Sequence, residues 1–194
     1  MRKGAKSAVL LALLFLAGLA LLLYPLVSSR YNARRSAALI EDYTAVVADT
    51  PREDYSAWFA AADAYNASLT GKDVPDAFAA ITDEESANYL AQLAFDPDGV
   101  MGYISIPKIA VSLPIYHGTT PATLEKGAGH LEGSALPVGG AGTHCVISAH
   151  RGLPSAAMFT DLDRLTLGDH FYIYVLDRVL AYEVDQILTV APDE

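Results

Sequence analysis

The sequence predicts a mainly β fold, an antiparallel sheet or barrel, standing behind an N-terminal transmembrane helix and a helical extension. Three observations predict it. Residues 8–27, AVLLALLFLAGLALLLYPLV, contain no charge. Residues 29–65 repeat apolar side chains at helical spacing. From Gly99 the pattern changes to short β-rich runs with Gly and Pro between them. The chain therefore divides into an anchor (1–28), a helical stalk with a loop (29–98) and a β domain (99–194).

Twenty residues at a rise of about 1.5 Å reach about 30 Å, the thickness of a bilayer core. Arg2, Lys3 and Lys6 precede the apolar run and favour a cytoplasmic N-terminus. The run is longer than the apolar core of a signal peptide, and no A-x-A site closes it. The expectation is an uncleaved, single-pass anchor in the cell membrane with the body outside.

In the stalk, Ala37, Ala38, Leu39, Tyr43, Val46 and Val47 form a partial apolar stripe. Thr50-Pro51-Arg52-Glu53 reads as the start of a second helix, with Thr50 capping and Glu53 completing a capping box. Tyr55, Trp58, Phe59, Ala62 and Tyr65 continue at helical spacing as core residues. Gly71 and Pro75 then break the pattern, and the loop carries Asp73, Pro75, Asp76 and Phe78. Composition alone reads that loop as a solvated linker. Glu84–Leu93 is a further short helix.

The strand candidates are Met101–Ile106, Val111–Tyr116, His144–Ala149, His170–Leu176 and Val179–Leu188, with short helices at Ala122–Lys126 and Ala157–Leu165. A barrel of so few strands leaves an open edge. His150 follows the third strand, where Gly152 and Pro154 stop the pairing. A histidine at the mouth of a strand suits proton transfer, since imidazole titrates near neutrality.

Composition excludes some functions. All 23 acidic residues follow position 35, leaving residues 36–194 with seven Lys and Arg and a net charge of −16. Nucleic-acid binding needs a basic footprint, so it is not expected. The one cysteine, Cys145, rules out an intramolecular disulfide. Histidines 117, 130, 144, 150 and 170 lack the short spacings of a metal site, so neither metal nor cofactor is expected.

Several motifs together resemble a sortase. They are Gly102-Tyr-Ile-Ser-Ile-Pro-Lys-Ile109, Leu113-Pro-Ile-Tyr-His-Gly118, Gly127-Ala-Gly-His-Leu-Glu-Gly133 and Leu136-Pro-Val-Gly-Gly140. Ser148-Ala-His-Arg-Gly-Leu-Pro-Ser155, Met158-Phe-Thr-Asp-Leu-Asp163 and Gly168-Asp-His-Phe-Tyr172 complete them. The anchor, helical extension and possible lid are similar to the class C, pilin-polymerising branch. The resemblance implies a sortase β-barrel and a cysteine transpeptidase of the Gram-positive cell wall. Such an enzyme cleaves an LPxTG-like sorting signal and passes the acyl group to a lysine amine of another pilin subunit. His150 matches the catalytic histidine. Asp73, Pro75, Asp76 and Phe78 stand where a lid would lie, although the branch's contiguous Asp-Pro-aromatic triplet is interrupted.

The resemblance also marks what these residues do not supply. The family's T-L-x-T-C strand and the arginine after it are expected past residue 194, which makes this chain by itself an inactive piece of barrel lacking its last strands. Cys145 is no replacement, because five strand residues place it about 17 Å from His150 and on the opposite face. It reads as a small core residue. The competing expectation is a non-catalytic, membrane-anchored module, a pseudo-sortase that binds pilin or cell wall.

Overall fold

The computed structural model describes residues 2–69 and 82–190, with the side chains of 2–5 and 52–54 left aside. Asp73, Pro75, Asp76 and Phe78 of the expected lid lie outside the described residues. Helix α1 (Arg2–Asp49) joins the apolar run and the first half of the stalk in one rod. It is long and apolar enough to cross a membrane, and among the described residues none covers its apolar stretch. Pro25 lies inside it, where one helical hydrogen bond is lost.

Helix α2 (Arg52–Ser68) follows after Pro51. Thr50 does not cap α2 as expected: among the described side chains none caps that helix, the Glu53 side chain lies outside them, and the Thr50 hydroxyl donates back to Val46 O at 2.8 Å. Thr50 thus closes α1, because Pro51 already sets the backbone entry into α2. Tyr55, Phe59, Ala62 and Tyr65 are buried, and Trp58 packs beside Phe95 with ring centroids 5.9 Å apart. Helix α3 (Asp83–Ala91) carries a capping box, with Thr82 and Glu85 exchanging side-chain and backbone bonds.

Six strands form one mixed sheet: β1 (Val100–Ile106), β2 (Val111–His117), β3 (Ala128–His130), β4 (Ile147–Ser148), β5 (His170–Val175) and β6 (Arg178–Glu183). Their order is β4-β3-β2-β1-β5-β6, and the sheet curls into a half-barrel. All pairs are antiparallel except β2 with β3, which the short helix α4 (Pro121–Leu124) connects. Gly102 permits the β1–β5 approach, since a Cβ there would strike the Tyr174 carbonyl. Met101, Ile104, Ile106, Ile115, Ile173 and Val175 are buried in the core.

Three further local expectations are corrected, and one strand is additional. Strand β3 was not anticipated, because Ala128-Gly-His130 is too short and glycine-bearing to stand out. The strand expected over 144–149 shrinks to Ile147–Ser148. Its remaining backbone pairs with the turn after β3: Leu131 N–H donates to Val146 O at 3.0 Å and Ala135 N–H to His144 O at 2.9 Å. The helix expected over 157–165 is a chain of turns ending in one 3-10 turn, Leu162–Arg164. Strand β6 stops at Glu183, not Leu188, and residues 187, 188 and 190 are exposed apolar side chains.

Candidate active site

His150 leaves the sheet two residues after β4. Strand β4 pairs with β3 as Gly129 with Ser148 and His130 with Ile147, which aims the chain out of the sheet at Ala149. The following turn is held by its own backbone and polar side chains. Phe159 N–H donates to His150 O at 3.0 Å, and Gly152 N–H donates to Thr160 Oγ1 at 3.0 Å. Gly152 sits at φ +75°, a conformation costly for residues with a Cβ. His150 is half-buried. Its neighbour Arg151 pairs with Asp163 at 3.1 Å, both exposed.

Beneath the β3 end lies a buried polar network. His130, with no exposed surface, offers Nε2 to Ala135 O at 2.8 Å. With that nitrogen as donor, Nδ1 is an acceptor 3.0 Å from the Tyr89 hydroxyl, which also lies 2.9 Å from His130 O. The same hydroxyl accepts from Gly118 N–H at 2.9 Å. Ser134 accepts from Val146 N–H at 3.2 Å and donates to Leu131 O at 2.7 Å. Burial pushes the His130 imidazole down to about 4, so it is neutral at pH 7. The network stiffens the β3–β4 pair just before His150.

Asn66 on α2 adds a second brace, accepting from Leu136 N–H at 2.7 Å. Sequence reasoning missed His130, Tyr89, Ser134 and Asn66 as a group. Their partners lie up to 70 residues apart, so no local spacing reveals them.

Cys145 lies two residues before β4, outside the strand, so strand alternation does not set its facing relative to His150. With Ile147 it lines a cavity of about 710 Å³ inside the half-barrel, walled by Ile104, Phe171, Leu180 and Tyr182 among others. His150 does not line this cavity. Cys145 is not fully buried, as a core residue would be, yet burial pushes its thiol up to about 12. It is protonated at neutral pH and is no ready nucleophile. Among the described residues, no three His, Cys, Asp or Glu side chains group as a metal site.

The half-barrel scaffold thus carries a half-buried histidine just past a short rim strand, with buried polar side chains bracing the neighbouring turn. Comparison with known proteins gives that scaffold its family. A model of the sortase domain matches residues 104–194. Sortase C1 of Streptococcus agalactiae is 45% identical, with a TM-score of 0.75, over 80% of this chain and 79% of that one. Sortase C of Streptococcus pneumoniae is 43% identical (TM-score 0.69; 81% and 78% covered), and sortase C-1 of Actinomyces oris 44% (0.66; 72% and 78%). Sortase A of Bacillus anthracis is 28% identical over 112 residues, which are 58% of this chain and 52% of that protein. The chain thus spans about half the length of that curated relative. It belongs to the sortase family, a family of cysteine transpeptidases, and its solved structural neighbours include sortases C.

Proposed function

We propose that this chain is the membrane-anchored, histidine-bearing part of a class C sortase that joins pilin subunits or similar LPxTG-bearing surface proteins. The reading rests on one observation above others: His150 stands just past β4 of a sortase half-barrel, partly open to solvent. In the reaction, a thiolate attacks the Thr carbonyl of the sorting signal. The Thr–Gly bond breaks, His150 gives its proton to the departing Gly amine, and an acyl-enzyme remains. A lysine amine then attacks the thioester and passes a proton to His150, the C–S bond breaks, and the new amide leaves while the sulfur is released as the thiolate beside a protonated His150. Imidazole suits both half-reactions because it holds or releases a proton near neutrality.

The thiolate and a guanidinium for the oxyanion are assigned to polypeptide following residue 194. Cys145 is a poor donor of that thiolate, being held protonated and lining the cavity that His150 does not reach. Arg151 is a poor donor of that guanidinium, being paired with Asp163. On this reading residues 1–194 alone do not carry out transfer. The protonated thiol equally suits a second reading, a pseudo-sortase that binds pilin or cell wall without chemistry.

The test incubates the purified chain in detergent with a sorting-signal peptide and an amine acceptor, beside a chain extended through the family's final strands. Transfer only by the extended chain, lost in its His150→Ala variant, is the expected result. Undiminished transfer by that variant would overturn the role of His150. Peptide binding without transfer in both chains would establish the binding module instead.

A further inference from the structure

We propose that Asn32, on α1 just past the apolar stretch, is a positioning residue for His150; the inference rests on the reading of His150 given above. The turn after His150 is pinned at its base by the Phe159–His150 and Gly152–Thr160 bonds. Its tip, Leu153–Ala156, has one weak internal bond, Ala156 N–H to Leu153 O at 3.3 Å. From outside the turn, Asn32 Nδ2 donates to Ser155 O at 2.7 Å, across 123 residues of sequence. Ser28 also approaches, with its hydroxyl 3.4 Å from Pro154 O, but that group has a single proton and Tyr24 O lies 2.7 Å away. Among the described residues, Asn32 therefore makes the one short hydrogen bond from α1 to the tip.

An asparagine inside a helix is a weak helix former, because its amide competes for backbone partners. The bond to Ser155 accounts for its place here. Asn32 is half-buried, so the bond is shielded from solvent on one side. It also lies five residues beyond Val27, about 8 Å along the helix axis from the end of the apolar stretch. The turn that carries His150 is thereby suspended from the helix that carries the apolar run. A shift of α1 against the sheet is transmitted to the histidine through one amide.

The test uses the full chain in lipid nanodiscs and compares Asn32→Asp, Asn32→Ala and Asn32→Gln. Asp keeps the shape but loses the donor, Ala loses both, and Gln keeps the donor. The readouts are amide exchange at Phe159 and Gly152 and the His150 ring resonance, assigned with His150→Gln. Asp and Ala are expected to speed exchange at both amides about fivefold and to broaden the His150 resonance. Gln restores both, while the His130 resonance and the melting temperature stay as in the parent. Unchanged exchange and an unchanged His150 resonance in Asp and Ala would overturn the inference. So would broadening that Gln fails to reverse, or that spreads equally to His130, because the effect would then be general loosening. Failure of the catalytic reading looks different: the Asn32 variants still release the turn, while His150→Ala leaves transfer intact in the extended chain.

Discussion

Cys145 carries the chain's one thiol at a place where burial suppresses its chemistry. With the thiol pushed up to about 12, alkylation by iodoacetamide at pH 8 is expected to be far slower than for a free cysteine. Cys145→Ala removes one partly buried sulfur, which costs about 1 kcal/mol, or 2–4 °C in melting temperature. Rapid alkylation of the native chain, or loss of acyl-enzyme in a folded extended Cys145→Ala variant, would show that this thiol is the nucleophile after all. His130 sets a second residue-scale expectation. Its folded value of about 4 lies below the usual 6.5, so between these values the unfolded chain binds more protons. The stability linked to its neutral form is fully present above pH 6.5 and is lost as pH falls towards 4, by roughly 3 kcal/mol in all. Burial lowers His117 too and adds in the same direction. Urea titrations of the full chain in detergent from pH 7.5 to 4 should show the loss. His130→Gln should flatten the part due to His130, and an equal slope in that variant would refute the assignment.

At the scale of elements, α1 joins the half-barrel through Tyr43. Its ring is 1% exposed, and its hydroxyl accepts from Leu176 N–H at 2.8 Å while lying 3.3 Å from Met101 O. Leu176 occupies the β5–β6 turn at φ +49°, unusual for a residue with a Cβ. The hydroxyl thus satisfies a buried donor in a strained turn. Tyr43→Phe leaves that N–H without its partner and should cost about 1–3 kcal/mol, read as a fall in melting temperature and faster exchange at Leu176. No change in either would place the stability of the turn elsewhere. Tyr43 also shows where the sequence is readable. Its place in the apolar stripe of α1 follows from spacing, because burial of a helical face is periodic. Its hydrogen bond across 133 residues follows from no local pattern. The same division holds for strands β1, β2 and β5, whose alternation marks them, and for β3, whose three residues pair only because β2 lies alongside. His150 was legible as a candidate from its turn chemistry and the surrounding motifs. The Asn32, Asn66 and His130 braces were not, since each depends on a distant partner. Asn66 begins an Asn-x-Ser triplet, a match common by chance, and it is only 8% exposed.

For the whole molecule, the uneven charge and the open half-barrel each carry an expectation. Arg2, Lys3 and Lys6 precede the apolar run and Arg30, Arg34 and Arg35 follow it, and the proposed orientation, with the body outside the cell, rests on the first three. Protease added to intact, wall-stripped cells should digest residues 36–194, and full protection of that region would reverse the orientation. The cavity of about 710 Å³ gives the last prediction. Its walls include Ile104, Ile106, Leu136, Phe171, Ile173 and Leu180, so much of its lining is apolar, and Val179 on β6 is 56% exposed. Apolar surface in a concave space of that size takes up apolar dyes, because transfer from water is favourable at about 25 cal/mol per Å². The 194-residue chain is therefore expected to bind such a dye in detergent-free nanodiscs at a single saturable site beyond that of the lipid. Leu180→Trp should weaken the binding by filling the wall. If further strands of the same polypeptide complete the barrel, the extended chain should show no such site, because its own side chains occupy the space. Equal dye binding by both chains would mean that the cavity is a standing feature of the domain, and the barrel-completion reading would fail.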